Sequence, residues 1–334
     1  IYANGRGNII PGSEEIRVEA KSGTSIRLTI DRDVQWVAQN AISQAVASSR
    51  AKSGTVIVMD PKTGEILAQA SAPTFDPNVP SSITVDKLNN PSVQEVYEPG
   101  STGKVITVAA AMEEGLITPE TVFSIPYSMK VSDGVFRDHE KHPTQRLTTT
   151  GLLAVSSNTG SIKIGQKLGK DNLYKYLTKF GIGQSTNSKL PGESAGILHP
   201  VKNWSGTSLP TISFGQGYSL TAMQATSVFA TIANNGVRVK PSILAGVVNE
   251  SGKYTPAAAN ESTRVLSEQT AINMRAMMEN VVSKNGTAPS AAINGYRVAG
   301  KTGTAERYNT ACKCYSGYTA SFIGFAPADQ PKYV

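Results

Sequence analysis

The residues best equipped for covalent chemistry in this 334-residue sequence are Ser101 and Lys104, in Ser101-Thr102-Gly103-Lys104. On a helix, residues three apart share a face, so the Lys104 amine can reach the Ser101 hydroxyl. A serine hydroxyl is a weak nucleophile until a base takes its proton. Lysine can be that base when burial and neighbouring cations lower its pKa towards neutrality. The breaker Glu98-Pro99-Gly100 places Ser101 at the start of the helical run, where the positive end of the helix dipole favours a developing oxyanion. The same spacing also arises on solvated helix faces, so this pair alone assigns no activity.

Two further segments carry groups that could complete a site. Ser156-Ser157-Asn158 follows Ser101 by 55 positions. Ser156 could relay a proton to a leaving group, and Asn158 could hold a peptide amide and the lysine. Ser-Ser-Asn is equally an ordinary helix cap. Lys301-Thr302-Gly303-Thr304 lies 145 positions beyond Ser156. Lys301 and the hydroxyls of Thr302 and Thr304 could bind a substrate carboxylate, and Gly303 inside a strand marks a place of close approach.

Two other matches fail on context. Gly192-Glu193-Ser194-Ala195-Gly196 has the letters of a G-x-S-x-G nucleophile elbow. It lacks the preceding strand and following helix, and the only histidine after Ser194 is His199. Gly103-Lys104 faintly suggests a phosphate loop, but Glu98 and Val105 stand where that loop needs Gly and Ser/Thr.

The elements that must position these groups follow from pattern. Ser25–Ile30 alternates as a strand, and Asp31 is placed to cap a helix with apolar residues at Val34, Val37, Ala38, Ala41 and Ala45. Gly54–Asp60 and Glu65–Ala70 flank a Pro/Gly turn and predict a hairpin. A polar loop spans about 72–99, and a helix is expected from Ser101 to Glu114, closed by Gly115. Helical patterns recur near 148–156, 159–169, 171–180, 220–235 and 267–284. Strands are expected at Tyr296–Ala305 and Tyr318–Phe325. The layout is α+β, with helices in the middle and distant segments closing one antiparallel sheet. Residues 1–23 are Gly-rich and polar, with one alternating stretch at Ile16-Arg17-Val18, and are expected to be a linker or the remnant of an N-terminal pedestal. Residues 24–334 then form the main domain.

Composition narrows the classes. Lys and Arg total 32 against 25 Asp and Glu, for a formal charge of +7. These residues are scattered rather than striped and accompany no nucleic-acid motif, which argues against a nucleic-acid partner. No apolar run approaches the roughly 18 residues of a spanning helix. The only cysteines, Cys312 and Cys314, sit one residue apart, and three histidines complete the set of soft ligands. A local disulfide or two free thiols suit this better than a metal site, so no metal is expected from composition.

Each of the three boxes has a bland explanation; their ordered set resembles the penicillin-recognising serine enzymes. Tyr97–Thr107 is similar to the nucleophile region of class B penicillin-binding proteins, the monofunctional peptidoglycan D,D-transpeptidases. Gly300–Ala305 matches their third box, and Ala72–Pro77 and Phe214–Tyr218 resemble further family segments. The likeness covers about residues 24–334. It implies a β-lactamase/transpeptidase-like fold, an antiparallel sheet flanked by helices beside an all-helical lobe. It implies Ser101 as nucleophile, Lys104 as base, Ser156 and Asn158 as catalytic partners, and the backbone N–H groups of Ser101 and Thr304 as oxyanion hole. Lys301, Thr302, Gly303 and Thr304 would bind substrate. The implied ligands are stem peptides ending in D-Ala-D-Ala and β-lactam antibiotics, and the implied chemistry requires no metal or organic cofactor.

The resemblance further implies an extracytoplasmic, membrane-anchored protein of the division type, working with a membrane glycosyltransferase and divisome proteins. The anchoring helix lies outside this sequence, and residues completing the sheet are expected beyond Val334. The rival enzymes are a D,D-carboxypeptidase and a class A β-lactamase. The β-lactamase needs a Glu-x-x-Asn between boxes two and three, and none of Glu193, Glu250, Glu261, Glu268 or Glu279 has asparagine three residues on. A non-catalytic β-lactam sensor of the same fold is the alternative from another class.

Overall fold

Residues 2–13, 23–309 and 312–334 are described in a computed structural model of the chain. The expected alternation at Ile16–Val18 lies outside them. Asp31 caps the first helix, Arg32–Ser49, accepting from the backbone N–H groups of Asp33 (2.9 Å) and Val34 (3.0 Å). This helix lays Val34, Ala38 and Ile42 on the hairpin Gly54–Met59/Ile66–Ala72, against Val56, Val58, Ala68 and Ala70. Ser25–Leu28 pairs antiparallel with Leu244–Val248, two segments far apart in sequence.

The helix Lys104–Glu113 runs through the middle of the largest core cluster, and every residue from Lys104 to Met112 is buried. A helix apolar on all sides has to be interior. No side chain caps its start, a loss of about 1 kcal/mol. Each buried Val or Ile contributes about 1.5–3 kcal/mol, so packing rather than capping fixes it. Around it lie Asn158–Leu168, Lys170–Lys179, Ala222–Ala233 and Glu268–Val282. Ala222–Ala233 starts with a reciprocal capping box between Thr221 and Gln224.

Three expectations are corrected. Gly100–Gly103, with Ser101 in it, forms a tighter 3-10 turn and the α-helix begins only at Lys104. The middle of the chain also holds strands: Val122–Ile125 pairs with Gln145–Thr148, and Ser128–Val131 with Gly134–Arg137. At four residues each they are too short to show a period over a helical window. The described ladders do not close into a single sheet either. The hairpin Ala299–Asn309/Cys314–Phe325 and the Gly54–Ala72 hairpin are each two-stranded. Among the described residues the stretch from Lys332 to Val334 runs between them: Lys332 and Tyr333 donate to the Ala326 carbonyl, and Met59 exchanges backbone hydrogen bonds of 2.9 and 3.0 Å with Val334.

Candidate active site

The chain reaches Ser101 along a rigid approach. Tyr97 and Leu220 exchange backbone hydrogen bonds of 3.0 Å, the Glu98 carboxylate accepts from Gly217 N–H at 2.8 Å, and Gly100 N–H donates to the Gly215 carbonyl at 2.8 Å. Gly100 and Gly215 have φ of 53° and 96°, a region open chiefly to glycine. A Cβ on Gly215 would lie 1.8 Å from the Gly100 carbonyl oxygen, and one on Gly100 2.7 Å from that of Thr304. The turn carrying Ser101 is therefore wedged, main chain to main chain, between the Gly215 loop and the Lys301–Thr304 strand. Gly303 adds the close approach its place in a strand suggested: a Cβ there would lie 2.7 Å from the Pro99 carbonyl oxygen.

One turn further on, Lys104 is wholly buried. Its Nζ donates to the Ser156 carbonyl at 2.5 Å and lies 3.2 Å from the Ser156 hydroxyl. Lys301 is also wholly buried. Its Nζ donates to the same hydroxyl at 2.9 Å and to the Thr302 carbonyl at 3.2 Å. Two amines thus meet on one serine oxygen. Burial and the nearby Lys301 hold the Lys104 amine well below the usual lysine range, with Asp138 opposing. Burial brings Lys301 down to about 7. A neutral Lys104 amine has N–H for the Ser156 carbonyl and a lone pair left to take a proton.

Ser156 has φ of 62°, an uncommon left-handed conformation for a residue with a side chain. Such backbone typically costs about 1–3 kcal/mol and persists only where its surroundings impose it. Here Ser157 caps the helix Asn158–Leu168, its Oγ accepting from Gly160 N–H at 2.9 Å. Ser157 is thus the cap, and Ser156 is the residue turned to the lysines.

The other expected residues fall as follows. The Asn158 side-chain amide donates to the Arg137 carbonyl at 2.9 Å, so the lysine contact envisaged for it is filled by Ser156. The Thr302 hydroxyl pairs with that of Thr287 at 2.9 Å, and Thr304 stands exposed opposite Ala320.

Sequence reasoning missed Asp138. Its carboxylate accepts from Asn158 N–H (2.5 Å), Thr159 N–H (2.9 Å) and the Ser157 hydroxyl (2.7 Å), and faces His142 Nε2 at 3.0 Å. The only available signal was the i, i+4 pair Asp138/His142 in a polar loop, which is uninformative by itself.

The elbow-like segment Gly192–Gly196 is loop, as its context required. Glu193 staples it by accepting from Thr186 N–H at 2.6 Å and Ser188 N–H at 3.2 Å, and Ser194 Oγ accepts only from Gly196 N–H, at 3.2 Å. Cys312 and Cys314 form a disulfide. Among the described residues no cluster of His, Cys, Asp and Glu is built to hold a metal ion, and no helix is long and apolar enough to cross a membrane.

With the geometry described, comparisons with known proteins place it. Residues 54–334 match the family model described as the penicillin binding protein transpeptidase domain. The chain is 42% identical to the penicillin-binding protein PbpB of Mycolicibacterium smegmatis, covering 98% of this chain and 52% of that protein. It is 33% identical to the peptidoglycan D,D-transpeptidase FtsI of Escherichia coli, covering 94% of this chain and 51% of FtsI. The chain thus spans about half the length of these relatives. A crystal structure of penicillin binding protein 3 from the tuberculosis mycobacterium, complexed with aztreonam, superposes with a TM-score of 0.91 at 40% identity, covering 96% of this chain and 73% of that one. The fold is accordingly of the β-lactamase/transpeptidase type, and the chain belongs to the penicillin-binding protein transpeptidase family, among its class B members.

Proposed function

We propose that this chain is the acyl-transfer domain of a serine D,D-transpeptidase. The observation that carries the reading is the meeting of the Lys104 and Lys301 amines on the Ser156 hydroxyl, one turn from Ser101. In this reading the Ser101 hydroxyl gives its proton to the neutral Lys104 amine while its oxygen attacks the penultimate D-Ala carbonyl. The C–N bond to the terminal D-Ala breaks, and that nitrogen takes a proton passed through Ser156. Backbone N–H groups of Ser101 and Thr304 stabilise the oxyanion; comparable single donors are each worth roughly 2.7–4 kcal/mol. Lys301, Thr302 and Thr304 receive the terminal carboxylate, Gly303 lets the strand come close, and Asn158 orients the donor peptide. An acceptor amine then resolves the ester and forms the cross-link. With a β-lactam, the broken amide stays tethered and blocks that second step.

Relatives are named for peptidoglycan D,D-transpeptidase activity, and the solved relative carries a β-lactam, which supports the substrate class. A place at the extracytoplasmic membrane face, with a membrane glycosyltransferase and divisome proteins as partners, rests on family resemblance. The test is intact-protein mass spectrometry after exposure to a fluorescent penicillin. The wild type gains one adduct and Ser101→Ala none; an adduct on the alanine variant ends the proposal. Incubation with a peptidoglycan precursor then separates the rivals: cross-linked product marks a transpeptidase, D-Ala release alone a carboxypeptidase, and neither product a sensor.

A further inference from the structure

The carboxylate of Asp138 is no part of the three boxes, yet it is the hub of the second one. It is almost fully buried, with 8% of its side chain exposed. It reaches across from the end of the strand Gly134–Arg137 to the first turn of the helix Asn158–Leu168. One oxygen accepts from the Asn158 and Thr159 N–H groups, at 2.5 and 2.9 Å. The other accepts from the Ser157 hydroxyl at 2.7 Å, with the Thr159 hydroxyl at 3.4 Å. A carboxylate at a helix N-terminus is favoured by the dipole and by the unpaired N–H groups there. Here it does more than cap. It ties down the two residues that follow Ser156, whose left-handed backbone needs an external constraint.

His142 closes the network from outside. Its Nε2 faces Asp138 at 3.0 Å and its Nδ1 faces the Pro143 carbonyl at 2.7 Å. A carboxylate and a carbonyl can only accept, so this geometry suits a ring carrying protons on both nitrogens. The intervening His139, Glu140 and Lys141 are exposed. The charged group in contact with Asp138 is His142 from its own segment; Lys104 on the nucleophile helix lies within the influence of its charge, with Lys301 beyond Ser156.

We propose that Asp138 is a positioning residue for acylation, clamping the Ser156–Asn158 corner and supplying Lys104 with a countercharge that His142 moderates. The proposal rests on the transpeptidase reading for its kinetic consequence; for its effect on Lys104 it rests on the hold of Asp138 on Ser157 and Asn158, directly after the Ser156 carbonyl that receives the Lys104 amine, together with the charge of the carboxylate. Asp138 raises the Lys104 pKa against burial and Lys301. Removing its charge lets Lys104 lose its proton at lower pH. Removing the His142 charge leaves Asp138 unmoderated and does the reverse.

The experiment compares Asp138→Asn, His142→Gln and the wild type by the pH dependence of penicillin acylation, and by NMR titration of the Lys104 Nζ in the whole chain. In Asp138→Asn, the acid limb of the acylation profile and the Lys104 titration both move to lower pH. Its plateau falls on the order of 10²-fold, as expected for a misplaced reacting group. In His142→Gln both move to higher pH with little change of plateau. A purely structural role would lower the plateau and leave the limb in place; that result overturns the proposal. So does movement of both variants in one direction. If Asp138→Asn does not fold, His142→Gln decides by the direction of its shift, and an unmoved Lys104 titration refutes the idea. If the wild type takes no penicillin, the transpeptidase reading fails while the NMR titrations still judge Asp138.

Discussion

Lysines occur in this molecule in two opposite settings. On the rim, Lys175 lies 2.9 Å from Glu114 and Lys240 lies 2.7 Å from Glu261, each amine facing a carboxylate with solvent at hand. In the cleft, Lys104 and Lys301 are sealed from solvent and face a serine. Water and a counter-ion both favour the charged form of an amine. A cleft lysine has neither water nor a carboxylate in direct contact, so the charged form is disfavoured. In the proposed reading, reactivity comes from withheld solvation, and it should trade against stability.

The largest effect that would break this comparison is at Lys104. Lys104→Met should lower the penicillin acylation rate by about 10²–10⁴-fold, the range for a positioned general base. Its thermal midpoint should equal or exceed that of the wild type, since an apolar group of similar volume fills the same space. A clear fall in midpoint would show that the amine is structural. Lys301→Met removes a charged hydrogen bond worth about 1.5–3 kcal/mol. Binding of a substrate carboxylate should weaken by about 10–10²-fold, read as a raised half-saturation for the penicillin.

Stability against pH sharpens the contrast. A lysine whose pKa is lower folded than unfolded leaves the unfolded state holding more protons between the two values. Stability therefore rises with pH across that window. For Lys301 the window opens at about 7 and closes near the unfolded value of about 10.4. The wild type should accordingly gain in denaturant midpoint from neutral to alkaline pH, and Lys301→Met should flatten that slope. An unchanged slope would mean that Lys301 is solvated after all. The smallest effect is expected on the rim: Lys175→Met should leave the thermal midpoint within about 2–4 °C, because exposed pairs are worth roughly 0–1 kcal/mol.

The same contrast explains what could be read from sequence. Ser101, Lys104 and Lys301 were legible because their letters recur at fixed local spacings, and the Pro99-Gly100 breaker marks where the turn must sit. That Lys104 and Lys301 share the Ser156 oxygen was not legible, since it joins segments 52 and 145 residues apart. Asp138 was illegible: its partners lie 19 to 21 residues on, and an aspartate in a polar loop has no pattern to betray it. The burial of the helix Lys104–Glu113 could have been read from its letters, since Lys104 and Thr107 are the polar residues of its first turns. The four-residue strands of the middle did not, because tertiary pairing and not propensity makes them.

The wedge formed by Gly100 and Gly215 has a consequence for inhibitor escape. Where a catalytic group is aimed by surrounding side chains, trimming or enlarging one of them can re-aim it by small steps. Here the backbone carbonyl of Gly100 presses where any Cβ on Gly215 would go, so no graded adjustment exists at that contact. In the proposed reading, a variant at Gly215 therefore offers no small step by which the aim of Ser101 could shift to favour the natural peptide over a β-lactam.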